Sequence, residues 1–372
     1  MKLSVLQEDL ALASALASRF TSSRAQIPVL GNILIRAVGG KLILQATNLE
    51  TGIHVPIGAK IEKEGELTVP AKILSELVSS LPQGRVEIEQ EKDHLNVSSN
   101  SFSASIAGLP AQEFPKIPES AQNPTFVVKK PAFSVLSRQV AFASSMDETR
   151  PVLTGIYIEV GDKTMAVATD GFRMSTKDLT KGGLIEFGKE SKKTFLLPAR
   201  TIEELERSLP KDAENVKVEM KEKESQLIFD AESIVLTSRV IEGNYPDYKK
   251  VVPKADGTVI KTGRDELTKA VRAAGVFARE SSGIVKISFG KSGMVLTSES
   301  AAFGKEQVVV EADVVGDDTQ SAFNYKYLQE FLASVDGDTV EIKTQGPTSP
   351  AVFQDPKDPS YTHIIMPVRI SS

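Results

Sequence analysis

The sequence predicts an α+β fold built three times over: three similar domains, each with two helices and antiparallel sheets. Three observations predict it. The stretch VPAKILSELVSSLP (69–82) returns as LPARTIEELERSLP (197–210), with proline, alanine, basic residue, Glu-Leu pair and closing Ser-Leu-Pro in register. The runs flanking each stretch also match, and a fainter third copy follows. Strand-like and helix-like segments come in blocks rather than one by one, the mark of antiparallel sheets with helices on one face.

The elements follow in order. LALASALA (10–17) resembles the apolar core of a secretion signal, but Glu8 and Asp9 stand directly before it, where a signal needs a basic leader. Leu12, Leu16 and Phe20 share a helical face, so a helix is predicted over 8–20. LGNILIRAVGGKLILQATN (30–48) alternates with period two around Gly-Gly, a hairpin. A helix over 71–81 and a hairpin in RVEIEQEKDHLNVSS (85–99) complete the first copy. The second copy repeats the series: a helix over 131–143, a hairpin in LTGIYIEVGDKTMAVATD (153–170), a helix over 199–209 and a hairpin in NVKVEMKEKESQLIFDA (215–231). In the third, Leu267, Val271, Ala274 and Ala278 form one stripe of a helix over 265–278. VKISFGKSGMVLTSES (285–300) is a hairpin, and a helix over 324–334 leads into a strand. Pro, Gly and polar residues cluster near 122 and 255, which sets domains at 1–122, 123–254 and 255–372.

Composition narrows the function. The net charge of −5 shows no global basic excess. Cysteine is absent, which excludes disulfides, thiolate metal sites and a cysteine nucleophile, and a reducing cytoplasm is the expected location. No apolar stretch approaches the roughly 20 residues of a membrane span. GKS at 290–292 would need a glycine five residues before Gly290, where Val285 stands, and its hairpin context is wrong for a phosphate loop. His54, His94 and His363 lie in separate segments without metal-site spacing. Asp170 takes the place of Asn48 in the first copy, which points to a structural turn. No catalytic residue, metal or cofactor is expected.

Charge placement separates two surfaces. The six helical segments 8–20, 70–82, 129–143, 198–210, 264–279 and 324–334 carry twelve basic and nine acidic residues, a net of +3 that leaves −8 on the rest. A helical surface that tolerates a polyanion fits this sign, and ordinary solvated helix faces fit it too. Six helices spaced about 10 Å apart around a ring leave a hole near 9 Å, twelve leave about 28 Å and eighteen about 47 Å. A duplex is roughly 20 Å across. If this protein rings a duplex, two copies are the natural number.

These residues carry a resemblance. IPVLGNILI (27–35), VPAKILSEL (69–77), ATDGFRMS (168–175), EGNYPDYKKVVP (242–253) and HIIMPVRI (363–370) together resemble the bacterial sliding clamp family, the beta subunit of DNA polymerase III, over the full chain. The resemblance implies a head-to-tail ring dimer of the DNA clamp fold, with helices lining the hole and sheets outside. It implies a ring loaded on double-stranded DNA that slides without sequence specificity and tethers the polymerase alpha subunit. The loader, other polymerases and repair proteins are the further partners, bound through short linear motifs. The implied peptide groove takes Leu153, Thr169, Gly171, Phe172, Arg173 and Met174 from the second domain. To these it adds Pro246, Val251, Ile365, Met366, Pro367, Val368 and Arg369. Its walls are apolar and Met-rich, with Arg173 and Arg369 expected at the rim; the competing reading makes Met174, Ile365 and Met366 ordinary core. Phe172 stands where the family often has histidine, Lys250 where arginine is common, and Ser371 and Ser372 follow the usual end. For DNA, the resemblance implies loop residues Arg24 and Arg150. Lys72, Arg138, Arg200, Arg207, Lys269 and Arg272 are helix candidates, each with a surface salt bridge as its alternative. The dimer seam is expected where the strand around Ile106 meets Val276 and Phe277. The runner-up function is a repeat-built peptide scaffold that never encircles DNA; a third is a hydrolase with a diffuse carboxylate site.

Overall fold

The computed structural model describes residues 1–22, 27–187, 193–253 and 257–369. The predicted boundary near 255 and Arg24, Ser371 and Ser372 lie outside them. Copy one runs strand Lys2–Leu6, helix α1 (Gln7–Ser18), strands Asn32–Val38, Lys41–Thr47, Thr51–Gly58, Lys60–Lys63 and Gly65–Pro70, helix α2 (Ala71–Ser80), then strands Arg85–Glu91, His94–Ser99 and Phe102–Ala107. Copy two repeats that order: Phe126–Lys129, α3 (Pro131–Gln139), Gly155–Val160, Met165–Thr169, Arg173–Asp178, Ile185–Phe187, Lys193–Pro198, α4 (Ala199–Ser208), Asn215–Lys221, Gln226–Asp230 and Val235–Arg239. Copy three does so again: Thr258–Gly263, α5 (Arg264–Arg279), Ile284–Gly290, Gly293–Ser300, Gly304–Val310, Ala312–Val315, Thr319–Asn324, α6 (Tyr325–Ser334), Thr339–Thr344, Ala351–Gln354 and Tyr361–Ile365. All six predicted helices are present.

The helices are held by their apolar faces. Leu267, Val271, Ala274 and Ala278 of α5 are buried as the stripe predicts, and α2 buries Ala71, Leu74 and Val78. Asn324 caps α6 by accepting from the Lys326 N–H at 3.0 Å. The expected face of α1 needs correction. Leu12 is 73 % exposed, while Leu10, Ala13, Ser14 and Ala17 face inward with Phe20 behind them. The small residues let α1 lie close against α2 and the strands Lys41–Thr47 and Thr51–Gly58. A run of only Leu, Ala and Ser has too little polar contrast to mark its buried side.

The chain divides into two compact units, neither of which matches a sequence repeat. The first comprises Met1–Lys130, Ile185–Lys189 and Glu204–Val240. Its five-stranded sheet ends in Phe102–Ala107. Its nine-stranded sheet joins copies one and two, because Val235–Arg239 pairs antiparallel with Thr51–Gly58, Leu236 opposite Ile53. The second unit comprises Pro131–Leu184, Glu190–Glu203 and Ile241–Ser372. Its nine-stranded sheet joins copies two and three through Arg173–Asp178 and Tyr361–Ile365, with Ser175 opposite His363. Its four-stranded sheet ends in Gly304–Val310. So at each internal junction the last strand of one copy pairs with the fourth strand of the copy before it.

Candidate functional site

The groove residues gather in the second unit around the junction of Arg173–Asp178 with Tyr361–Ile365. Asp170 shapes the turn that starts it. Its Oδ1 accepts from the N–H groups of Phe172 at 2.8 Å and Arg173 at 2.9 Å, and Thr169 Oγ1 donates to the Arg173 carbonyl at 2.5 Å. Gly171 has φ +94°, a left-handed conformation that suits glycine. The turn pushes Phe172 out, 59 % exposed. Beyond Ile365 the chain continues the pairing: the Met366 N–H donates to the Phe172 carbonyl and the Val368 N–H to the Ala322 carbonyl, both at 2.8 Å. Met366, Pro367, Val368 and Arg369 are therefore strung from the turn to the strand Thr319–Asn324. Val368 and Arg369 border a cavity of about 610 Å³, together with Lys286, Gln320, Ser321, Ala322, Pro347 and Thr348.

The floor is a tight cluster. Met174 packs with Val167, Tyr248 and Ile364, backed by Tyr157 and Tyr245. Tyr245 stacks on Tyr157 at 5.0 Å between ring centroids, and the Tyr248 hydroxyl donates to Glu159 at 3.0 Å. Burial raises both Tyr245 and Tyr248 above the ordinary tyrosine value, and for Tyr248 the Glu159 hydrogen bond adds to it. These rings seat the segment that presents Pro246 and Val251 to solvent. Sequence reading passed over the aromatic floor, although NYPDY places two of its rings three residues apart. Met174 and Ile365 are core residues beneath the surface, whereas Met366 is 38 % exposed and accessible. Leu153 is also buried.

Arg173 is not at the rim. It is buried, and every face of its guanidinium is engaged. Nε donates to Asp170 Oδ2 at 3.2 Å, Nη2 to the Phe142 carbonyl at 2.7 Å, and Nη1 to Glu330. Its Cζ lies 4.5 Å from the Tyr327 ring centroid and 5.2 Å from that of Phe142. A group this far desolvated and fully hydrogen-bonded ties the junction together. Beside it His363 is fully buried, with Nδ1 2.7 Å from Ser175 Oγ. Burial, aided by the Arg173 charge, pushes its pKa down to about 3. Arg369 is exposed and remains at the edge.

The duplex candidates divide. Arg138 is held by Asp336, and Arg207 pairs with Glu204 at 3.8 Å. Lys72 has a loose exposed pairing with Glu76 at 3.9 Å. Arg150 binds Asp147 at 3.1 Å and reaches the Asp170 carbonyl at 3.4 Å, which brings it to the groove turn. Arg200, Lys269 and Arg272 are exposed, with no acidic partner within 4 Å among the described residues. At the expected seam, Val276 is 54 % exposed and Phe277 half-buried. Ile106 is buried, because alternation along Phe102–Ala107 turns it inward and leaves Ser103, Ser105 and Ala107 outside, while Phe102, on the face of Ile106, is exposed at the start of the strand.

The three copies match models of successive domains of one protein. Residues 1–118 match the DNA polymerase III beta subunit N-terminal domain, 127–247 its central domain and 249–369 its C-terminal domain. The chain belongs to the bacterial DNA polymerase III beta subunit family. The beta sliding clamp of Synechocystis sp. is 30 % identical over all of both chains, and that of Synechococcus elongatus 29 %. Among solved structures, the DNA polymerase sliding clamp of Bacillus subtilis superposes with a TM-score of 0.94 at 26 % identity, covering both chains fully. The DNA polymerase III beta subunit of Thermotoga maritima gives 0.90 at 27 %, again over both full lengths. The chain has the three-domain fold of this family, and the sliding-clamp reading is supported over a scaffold that never encircles DNA.

Proposed function

We propose that two copies of this chain join head to tail into a closed ring around duplex DNA and hold the replicative polymerase on its template as a sliding clamp. The observation that carries this is the strand left over. The repeat rule pairs each copy's last strand with the fourth strand of the copy before it. Within one chain this leaves one edge open on Phe102–Ala107, the last strand of copy one, and one on Gly304–Val310, the fourth strand of copy three. Joined between chains, the five- and four-stranded sheets make nine strands, the number in each internal sheet, and two open edges vanish. Phe102 and Ile73 in copy one and Val276 and Phe303 in copy three are large exposed apolar residues suited to the core of that seam.

Two chains supply twelve helices and a hole of about 28 Å on a spacing near 10 Å, wide enough for a duplex and a layer of water. Arg150, Arg200, Lys269 and Arg272 then face phosphate loosely, since strong pairing would brake sliding. The exposed Phe172, Pro246, Val251 and Met366 accept apolar anchors of short linear motifs on the polymerase alpha subunit, the loader, other polymerases and repair proteins. The ring performs no reaction of its own and works in the cytoplasm. The test is retention on DNA after loading. A stable dimer of about twice 40.2 kDa should stay on a closed circular plasmid and leave once the plasmid is linearised. Equal loss from both forms would rule out topological holding.

A further inference from the structure

Each copy carries a glutamate at the sixth position of its second helix: Glu76 in α2, Glu204 in α4 and Glu330 in α6. Two of the three hold an arginine from the copy before. Arg19 Nε donates to Glu204 Oε2 at 3.0 Å and Nη2 to Ser208 Oγ at 3.2 Å. Arg173 binds Glu330. Glu76 has only Lys72 of its own helix, at 3.9 Å in an exposed pairing, as an ion-pair partner among the described residues. The contrast extends along the helix face. Thr201 and Ser208 of α4 are buried and the Glu204 side chain is 16 % exposed. The equivalent positions of α2, 128 residues earlier, are open: Ile73 is 51 % exposed, the Glu76 side chain 66 %, and Ser80 is exposed. One helix face is thus covered in copy two and bare in copy one.

Of these two donors only Arg19 stands at the end of a first helix, and Arg173 lies in a strand. Each first helix ends in an arginine: Arg19 caps α1, Arg138 is in the last turn of α3, and Arg279 is the last residue of α5. Arg19 reaches α4 of the next copy, and Arg138 reaches Asp336 just past α6 of the next copy. Arg279 has no next copy in its own chain. Among the described residues its ion-pair partner is its neighbour Glu280, at 3.2 Å in an exposed pairing. Arg279 lies three residues beyond Val276, on the same exposed face.

We infer that Glu76 of one chain receives the Arg279 guanidinium of a second copy of this chain, with Ser80 beside it, as Glu204 and Ser208 receive Arg19. This inference rests on the head-to-tail reading and adds to it a charged contact that sets which helix faces which across the seam. The pair would be partly shielded there, like Arg19 with Glu204, and so would count for more than either exposed local pairing.

Charge reversal in the full-length protein tests it, with dimer dissociation followed by sedimentation. Glu76→Arg and Arg279→Glu should each weaken the dimer by about tenfold or more, near 1.4 kcal/mol per tenfold, and the double variant should recover most of the loss. Both residues are exposed in the single chain, so an unchanged melting profile of the monomer separates seam loss from misfolding. Glu76→Arg combined with Arg272→Glu should not recover. A Glu76→Arg dimer as tight as the parent, or a double variant no better than the singles, would overturn the pairing and leave the ring reading standing. A parent protein that stays monomeric would remove the ring reading itself.

Discussion

At the turn after the third strand of copies one and two, the duplication is preserved atom for atom. Asn48 Oδ1 accepts from the N–H groups of Glu50 at 3.0 Å and Thr51 at 2.7 Å, as Asp170 Oδ1 does from Phe172 and Arg173. The middle residue is left-handed in both, Leu49 at φ 73° and Gly171 at φ 94°. Leucine strains that conformation by about 1–2 kcal/mol, and glycine does not. What differs between the copies is what the turn supports: in copy two it fixes Arg173 against the buried His363. That histidine yields a pH prediction. Its folded pKa, about 3, lies below the ordinary value of 6.5. The unfolded chain therefore binds the extra proton first as pH falls. The stabilisation is complete above about pH 6.5 and declines as pH drops toward 3. By pH 5 the loss from this one group is about 2 kcal/mol. A His363→Asn variant, which keeps a hydrogen-bonding group near Ser175, should lose correspondingly less stability between pH 7.5 and 5. Parallel pH profiles for the two proteins in denaturant titrations would refute the assignment.

The elements were legible wherever a local pattern is tied to a local cause. Alternation around Gly-Gly gave the hairpin of Asn32–Val38 with Lys41–Thr47, and the proline before Ala71 and Ala199 marked two helix starts within a residue. The faces were less legible where the deciding contact is distant. Arg173 is a surface-type residue by composition, and only the approach of Phe142, Tyr327 and Glu330 makes it an interior one. The same limit applies to the groove, whose residues come from segments nearly 200 positions apart and whose floor is set by Tyr245 and Tyr248 packing on Met174. That layering predicts two separable variants. Met366 is exposed and its main-chain N–H holds the pairing, so Met366→Asp should keep the fold and the dimer while polymerase stimulation falls at least tenfold. Met174 lies in the floor, so Met174→Ala should cost about 2–5 kcal/mol of stability. Full polymerase stimulation by the Met366→Asp ring would discard the groove assignment, and an unchanged melting temperature for Met174→Ala would discard its place in the floor.

At the scale of the molecule, the charges show how the ring would hold DNA. The chain is net −5, and the helix arginines Arg19, Arg138 and Arg207 are occupied by carboxylates. Of the helix candidates, Lys72, Arg200, Lys269 and Arg272 remain exposed to meet phosphate. A protein held by six to ten phosphate contacts loses about 10³–10⁵ in affinity between 50 and 200 mM salt. A closed ring needs no such contacts, because leaving requires the seam to open. The time this ring stays on a closed circle should therefore change less than about twofold over the same salt range. Its affinity for linear duplex should be poor throughout. The decisive measurement is the off-rate from a nicked circle at 50 and 200 mM salt. A steep fall in residence time would mean that phosphate contacts, not closure, keep the protein on DNA. The exposed Arg200, Lys269 and Arg272 would then have to be binding residues rather than the loose lining of a sliding hole.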